Sequence, residues 1–360
     1  MVDTLPNIPK KGRGAVGNPA GRFETESTVS CDDGWDNFGD DDAPVLRTTL
    51  TPDATRTVIT RNKSPDVPFD RSINPYRGCE HGCVYCFARP THSYLGLSPG
   101  LDFESRLFFK RDAAALLEKE LRRPSYRCAT IALGVNTDAY QPVERELKLT
   151  RSILEVLSAF NHPVAIITKS AGILRDMDLL AAMAEKKLVH VMISVTTLDA
   201  DLHRRMEPRA PRPSRRLEVI RTLTEAGIPA GVLAAPMIPG LTDQDLESIL
   251  ETAAAAGAHQ AGYILMRLPH ELKDLFLEWL GTHYPDRAGR VESLLRQCRG
   301  GGLNHAEFGR RMRGDGVYAD LLSHRFKVAI DRLELNRGEF DLDSSLFKPP
   351  TKAGDQLALF

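Results

Sequence analysis

The chain carries almost no net charge, no hydrophobic run long enough to cross a bilayer, and no second pair of closely spaced cysteines, and each absence removes a class of function. Its 47 basic and 48 acidic residues give a formal charge of −1. No whole-protein field therefore draws it to nucleic acid or to an anionic membrane, and any such partner must be met by a local patch. The longest apolar stretch, around Ile228 to Ile238, is interrupted by Pro229 and Pro236 and is too short to span hydrocarbon. No charged-then-apolar leader opens the sequence, which predicts a cytoplasmic protein without membrane contact. The six cysteines do not suggest a disulfide framework, because three of them fall within eight residues while Cys31, Cys128 and Cys298 are scattered. A metal or a cluster is the better reading.

The first 60 residues are rich in Gly, Pro, Asp and Thr, with six Asp between Asp32 and Asp42 and no apolar periodicity. They are expected to form an extended or disordered arm, with Cys31, Trp35 and Phe38 as the only candidates to pin it to a surface. From 61 to 280 the pattern becomes short apolar runs (129–135, 163–169, 188–195, 229–237, 261–266) alternating with amphipathic helices, and a first strand is expected just before Gly78. The periodicity predicts helices over 144–160 and 214–226 and a third capped by Asp243. Strands that are apolar on both faces belong in a parallel sheet. Six β-then-α units predict an α/β fold, a partial (β/α)6 TIM-type barrel, with a doubly wound open sheet as the alternative. Beyond 280 the strands stop, which predicts a helical C-terminal extension over 281–345 and a flexible tail over 346–360.

The segment GCEHGCVYCFAR places Cys79, Cys83 and Cys86 in a C-x3-C-x2-C spacing on one loop after the first strand. Three thiolates can hold three irons of a [4Fe–4S] cubane and leave the fourth without a protein ligand. An open iron can chelate the amino and carboxylate groups of S-adenosylmethionine (SAM), so that one electron breaks its carbon–sulfur bond. The competing reading is a structural zinc ion completed by His81 or His92, but such sites more often pair two C-x2-C knuckles.

At these residues the chain resembles the radical SAM superfamily. The segments ITKS (167–170), HVMISVTTLD (190–199), MEPRAP (206–211) and AGIPAGVLAAPMIPGLTD (226–243) resemble its spore-photoproduct-lyase-like branch, a DNA-repair lineage. The resemblance implies that Tyr85 packs near the adenine of SAM and that Lys169 and Ser194 contact its carboxylate. It also implies an electron donor such as a flavodoxin or ferredoxin. Chemistry in such barrels sits at the C-terminal ends of strands, which adds Asn136, Thr137 and Asp138 as candidates for the SAM amino or ribose groups. A plain turn would use the same Asn and Asp. Glu207 and Arg209 either reach the ribose or substrate or form a buried ion pair. The dimer-splitting lyases of this branch use a hydrogen-donating cysteine where this chain has Val135 and Asn136. Cys128 lies at the opposite end of that strand, and Cys298 sits in an Arg-rich segment.

Two stretches are basic, with seven Arg against two Glu between His203 and Arg221 and seven Arg against three acids between Asp286 and Arg313. Either can neutralise phosphates of DNA or another nucleic acid, although charge runs are more often solvated faces. The terminal QLALF resembles the pentapeptide by which bacterial repair proteins hold the sliding clamp, with Gln356 at the rim and Leu357, Leu359 and Phe360 inserted. Three functions remain: a radical SAM enzyme acting on nucleic acid, one acting on a small molecule, RNA or protein, and a non-catalytic metal-binding adaptor.

Overall fold

The computed structural model describes residues 7–24, 46–338 and 341–351. Ten strands form two sheets: β1 (Thr49–Pro52), β2 (Ile59–Arg61), β3 (Arg71–Ile73), β4 (Tyr76–Arg77), β5 (Arg106–Phe109), β6 (Ile131–Leu133), β7 (Val164–Thr168), β8 (Val189–Ser194), β9 (Ala230–Met237) and β10 (Gln260–Leu265). The larger sheet has the order β10-β9-β8-β7-β6-β3-β2. Its six members from β3 to β10 are parallel, and β2 closes the edge antiparallel to β3. Parallel neighbours that follow chain order, with no reversal, give the partial barrel and exclude the doubly wound alternative, whose strand order reverses at a switch point.

The reason lies in side-chain chemistry. Val164, Ile166, Val189, Val191, Ile193, Ala230 and Val232 are all wholly buried, as strands covered on both faces must be. Between them the helices Leu149–Ala159, Met177–Ala184, Pro213–Glu225 and Leu246–Ala255 lay one apolar face on the sheet, through residues such as Ile153, Leu157, Ile220 and Ile249.

Three expectations are corrected in detail. The helix expected over 144–160 is two, Glu144–Leu147 and Leu149–Ala159, because Lys148 takes a left-handed conformation with φ of 52°. Asp243 does not cap the helix that follows it: one oxygen accepts from the Gly240 amide at 2.8 Å and the other from the Tyr318 hydroxyl. The boundary expected at 280 falls inside the helix Leu272–His283, which packs with Pro285–Gln297 against the cysteine loop through Phe276, Trp279 and Val291. The third C-terminal helix, Val317–Arg332, packs chiefly against Leu246–Ala255 and also touches Pro285–Gln297 and β10.

Of the N-terminal arm, Arg13 to Val16 are buried against the cysteine loop and β1 pairs with β5 in the smaller sheet. These parts are docked, while Cys31, Trp35 and Phe38 lie outside the described residues.

The core also encloses histidines. Burial holds His92, His162 and His190 neutral, with pKa values lowered to about 4. Unfolding returns each to about 6.5, so the unfolded chain binds more protons below that value. Stability is expected to fall as pH drops from about 6.5 towards 4, by on the order of several kcal/mol in total. Urea unfolding midpoints across this range check it, and a flat profile would contradict the burial.

Candidate functional site

The cysteine loop leaves β3 and β4 and turns through Gly78 and Gly82, both at positive φ. The Cys79 amide donates to the Phe103 carbonyl at 2.9 Å, and the amide of Cys86 to the carbonyl of Cys83 at 3.2 Å. Arg89, three residues beyond the last cysteine, is wholly buried and donates to the carbonyls of Cys83 (2.9 Å), Gly82 (3.2 Å), Pro99 (3.1 Å) and Gly100 (2.9 Å). Its charge is met by Glu104, also wholly buried, whose two oxygens accept from the Gly14 and Ala15 amides at 2.9 and 2.8 Å. A Cβ on Gly14 would lie 1.7 Å from the Gly82 carbonyl oxygen, so only glycine lets the arm approach this closely. Sequence reading missed this brace, since Gly14, Arg89 and Glu104 follow no period and neighbour each other only in space.

All three thiols are free of disulfides. Burial pushes each up; negative charge on Asp138 and the other two cysteines adds to Cys79, and Glu207 adds to Cys83. Three neighbouring thiols, Cys79 and Cys83 buried and Cys86 partly so, repel one another as thiolates and need positive charge from a bound group, which is what iron supplies. Of the histidines of the zinc reading, His81 Nδ1 lies 3.4 Å from Asp138 and His92 Nε2 3.0 Å from the Arg106 carbonyl, while His92 Nδ1 is buried without a hydrogen-bond partner. Among the described residues no three His, Cys, Asp or Glu side chains form a group that could hold a metal ion. A tetrahedral zinc site draws every ligand to about 2.0–2.3 Å of one ion, whereas a cubane spreads three thiolates over three irons.

The structure brings Tyr85, Lys169, Ser194 and Glu207 together at the C-terminal ends of β7 and β8. The Lys169 ammonium lies 5.6 Å from the Tyr85 ring centroid and 3.5 Å from Glu207 Oε1. Burial lowers its pKa to about 8, negative charge on Cys83 raises it, and Arg216 lowers it further. Glu207 is wholly buried. It accepts from the Tyr85 hydroxyl, from Thr196 Oγ1 at 2.9 Å and from Arg216, which also donates to the Ser194 carbonyl at 3.1 Å. Glu207 sits in a buried ion pair, but with Arg216 and not with Arg209, which turns to Glu80.

Asp138 is fully engaged. It accepts from the Lys169 amide (2.8 Å), Thr168 Oγ1 (2.7 Å) and the Tyr140 amide (2.8 Å). Burial raises its pKa, but the His81 charge and these hydrogen bonds overcome that and hold it at about 2. It therefore ties the cysteine loop to β7. The Asn136 and Thr137 amides both turn towards Asn74 Oδ1, and Thr137 Oγ1 donates to the Tyr76 carbonyl at 2.7 Å. Arg209 pairs with Glu80 at 3.0 Å. Cys128 stands near Arg71 at the opposite pole, and Cys298 is wholly buried in the main core.

With this geometry fixed, comparison with known proteins is informative. The family model described as Radical SAM superfamily matches residues 73–253. The chain belongs to the radical SAM superfamily. An uncharacterized protein of Mycobacterium tuberculosis (strain H37Rv) is 40% identical over 241 residues, covering 66% of this chain and 71% of that protein. An uncharacterized protein of Methanocaldococcus jannaschii is 28% identical over 216 residues, covering 59% and 76%. Among solved structures, spore photoproduct lyase complexed with dinucleoside spore photoproduct aligns with a TM-score of 0.56 at 16% identity, covering 79% of each chain. A mutant of that lyase with bound AdoMet and the same dinucleoside aligns equally well. At such identity the likeness is one of fold. Membership itself implies an iron–sulfur cluster and SAM, and the three free thiols suit the former.

Half of the fourteen arginines in the basic runs are paired with acids within the chain. Arg204, Arg209, Arg215 and Arg216 pair with Asp201, Glu80, Glu218 and Glu207. Arg296, Arg310 and Arg311 pair with Glu292, Glu307 and Asp66. Arg299 is buried, donating to the carbonyls of Leu265, Met266, Arg310 and Arg311.

Glu207→Gln leaves Arg216 buried without its counter-charge, a loss of about 3–5 kcal/mol. Thermal unfolding of purified protein should show the loss, with partial recovery in Glu207→Gln/Arg216→Met. Wild-type stability in the single variant would contradict the pairing.

Proposed function

We propose that this protein is a radical SAM enzyme whose Cys79, Cys83 and Cys86 hold a [4Fe–4S] cluster, and whose substrate is nucleic acid, DNA in a repair setting. The observation that carries the reading is the placement of three free thiols, two buried and one partly exposed, on a braced loop beside Lys169 at the barrel mouth. When bound, the cluster supplies the electron that cleaves SAM to methionine and a 5′-deoxyadenosyl radical. The chain's own residues do the positioning. Lys169 offers a charge-assisted donor to the SAM carboxylate, with Ser194 beside it, and Glu207 fixes both Lys169 and the Tyr85 hydroxyl so that the Tyr85 ring flanks the adenine. Asn136 is the remaining candidate for the amino or ribose groups. Asp138 acts on the Lys169 backbone and so positions that residue. Electrons come from a flavodoxin or ferredoxin in the cytoplasm; no helix among the described residues is long and apolar enough to cross a membrane.

The nucleic-acid substrate is supported by the spore-photoproduct-lyase-like motifs. The absence of a cysteine at the end of β6, where Val135 and Asn136 stand, argues that the hydrogen donor differs from that lineage's. The alternative is a small molecule, RNA or protein substrate, and the pairing of seven of the fourteen arginines in the basic runs within the chain favours its small-molecule and protein members over either nucleic acid. Anaerobic incubation of iron-loaded protein with reductant, SAM and either damaged or intact DNA, read by mass spectrometry, separates the two. A changed nucleotide is expected; deoxyadenosine without DNA product would contradict the DNA assignment.

Two further outcomes follow from the same reading. Lys169→Ala should weaken SAM binding by about 1.5–3 kcal/mol with iron content unchanged, measured by equilibrium binding; unchanged affinity would remove Lys169 from the SAM site. The QLALF tail lies outside the described residues, and we assign it to the bacterial sliding clamp. Deleting 356–360 should abolish co-migration with purified clamp, and failure of the full chain to bind at tens of micromolar would overturn that partner.

A further inference from the structure

The residue directly after the last cysteine, Phe87, is 44% exposed. An aromatic ring left in solvent beside a radical site is unusual on a loop whose other side chains are nearly all buried. Its ring is covered on one side by Arg267, whose guanidinium carbon lies 5.2 Å from the centroid. Arg267 follows the end of β10, so strand and loop meet at the barrel mouth.

Arg267 is a half-buried cation with no ion pair among the described residues. Burial and the neighbouring Arg311 both disfavour its charge, and Asp66 offsets them only from a distance. Asp66 is already committed, accepting from Arg311 Nε and from the Gly309 amide at 2.6 Å. Arg311 in turn lies 4.7 Å over the ring of Phe308, which is 58% exposed. Two exposed rings are thus each covered by a guanidinium, and the carboxylate whose charge reaches both cations is already hydrogen-bonded to one of them. A guanidinium in this state is stabilised by an incoming anion, and an open ring face by a flat apolar surface.

We propose that Phe87 and Arg267 form a nucleotide platform at the barrel mouth, where a base of a single nucleic-acid strand stacks on the Phe87 ring and Arg267 takes the adjoining phosphate. The inference rests on the nucleic-acid reading and gives it residues that the basic runs do not. Stacking on an aromatic side chain tolerates every base, so the platform holds a strand by position, and the base beside it is brought next to the cysteine loop. An acidic peptide would satisfy Arg267 but would leave the ring face without a planar partner.

Fluorescence anisotropy of iron-loaded, full-length protein with labelled single-stranded oligonucleotide tests it, with an abasic strand of equal length in parallel and iron content measured on each sample. Arg267→Gln should lower the slope of log affinity against log salt by about 1. Phe87→Ala should weaken the base-bearing strand by about 5- to 150-fold and the abasic strand much less. Equal losses on both strands, or an acidic peptide displacing the strand while abasic and base-bearing strands bind alike, would overturn base stacking. Wild-type binding that neither variant changes would overturn the platform and leave the nucleic-acid reading standing. Binding of neither strand by wild type would overturn both.

Discussion

A single ion pair buried out of reach of water, Arg89 with Glu104, is the contact on which the rest of this site depends. Isolated, either charge would be prohibitive in the interior. Together they are satisfied because the guanidinium spends its remaining donors on four carbonyls of the cysteine loop and its surroundings, while the carboxylate takes two amides from the N-terminal arm. The loop that presents three thiols is thereby given one conformation before any iron arrives. The arm, unremarkable in composition, becomes part of the wall behind it.

The opposite wall repeats the principle with different groups. Glu207 gathers Tyr85, Thr196, Arg216 and Lys169 around one carboxylate, so the cation expected to meet SAM is held by the same residue that fixes the expected adenine neighbour. Asp138 ties the cysteine loop, through His81, to the end of β7. Three buried carboxylates, each fully hydrogen-bonded, join the arm, the loop and two strands into one rigid mouth, which is the preorganisation that orienting a bound cofactor requires.

Much of the fold was legible because its signal is local. Runs such as VAIIT and VHVMIS are apolar on both faces, and only a buried parallel strand tolerates that. The cysteine spacing was equally legible, since three thiolates in eight residues have few uses. The brace was not, because Gly14, Arg89 and Glu104 are ordinary polar or small residues whose meaning comes from contacts across 15 to 90 positions. The left-handed turn at Lys148 was hidden by a continuous amphipathic pattern on both sides of it. Asp138 and Glu207 were visible as candidates, but sequence could not show that their oxygens are spent on neighbours. The arginine runs show the same limit: charge is countable in a sequence, whereas the pairing of Arg311, Arg209 and Arg216 with Asp66, Glu80 and Glu207 is a tertiary fact.

The central claim is that the cysteine loop holds a cubane with one iron open to SAM. Electron paramagnetic resonance of the anaerobically reconstituted, reduced protein tests it most directly. The account predicts a reduced [4Fe–4S] signal that changes shape when SAM is added, because SAM enters the coordination sphere of the open iron, and that is lost in Cys83→Ala. A signal indifferent to SAM, or protein that binds stoichiometric zinc and no iron under the same conditions, would contradict it.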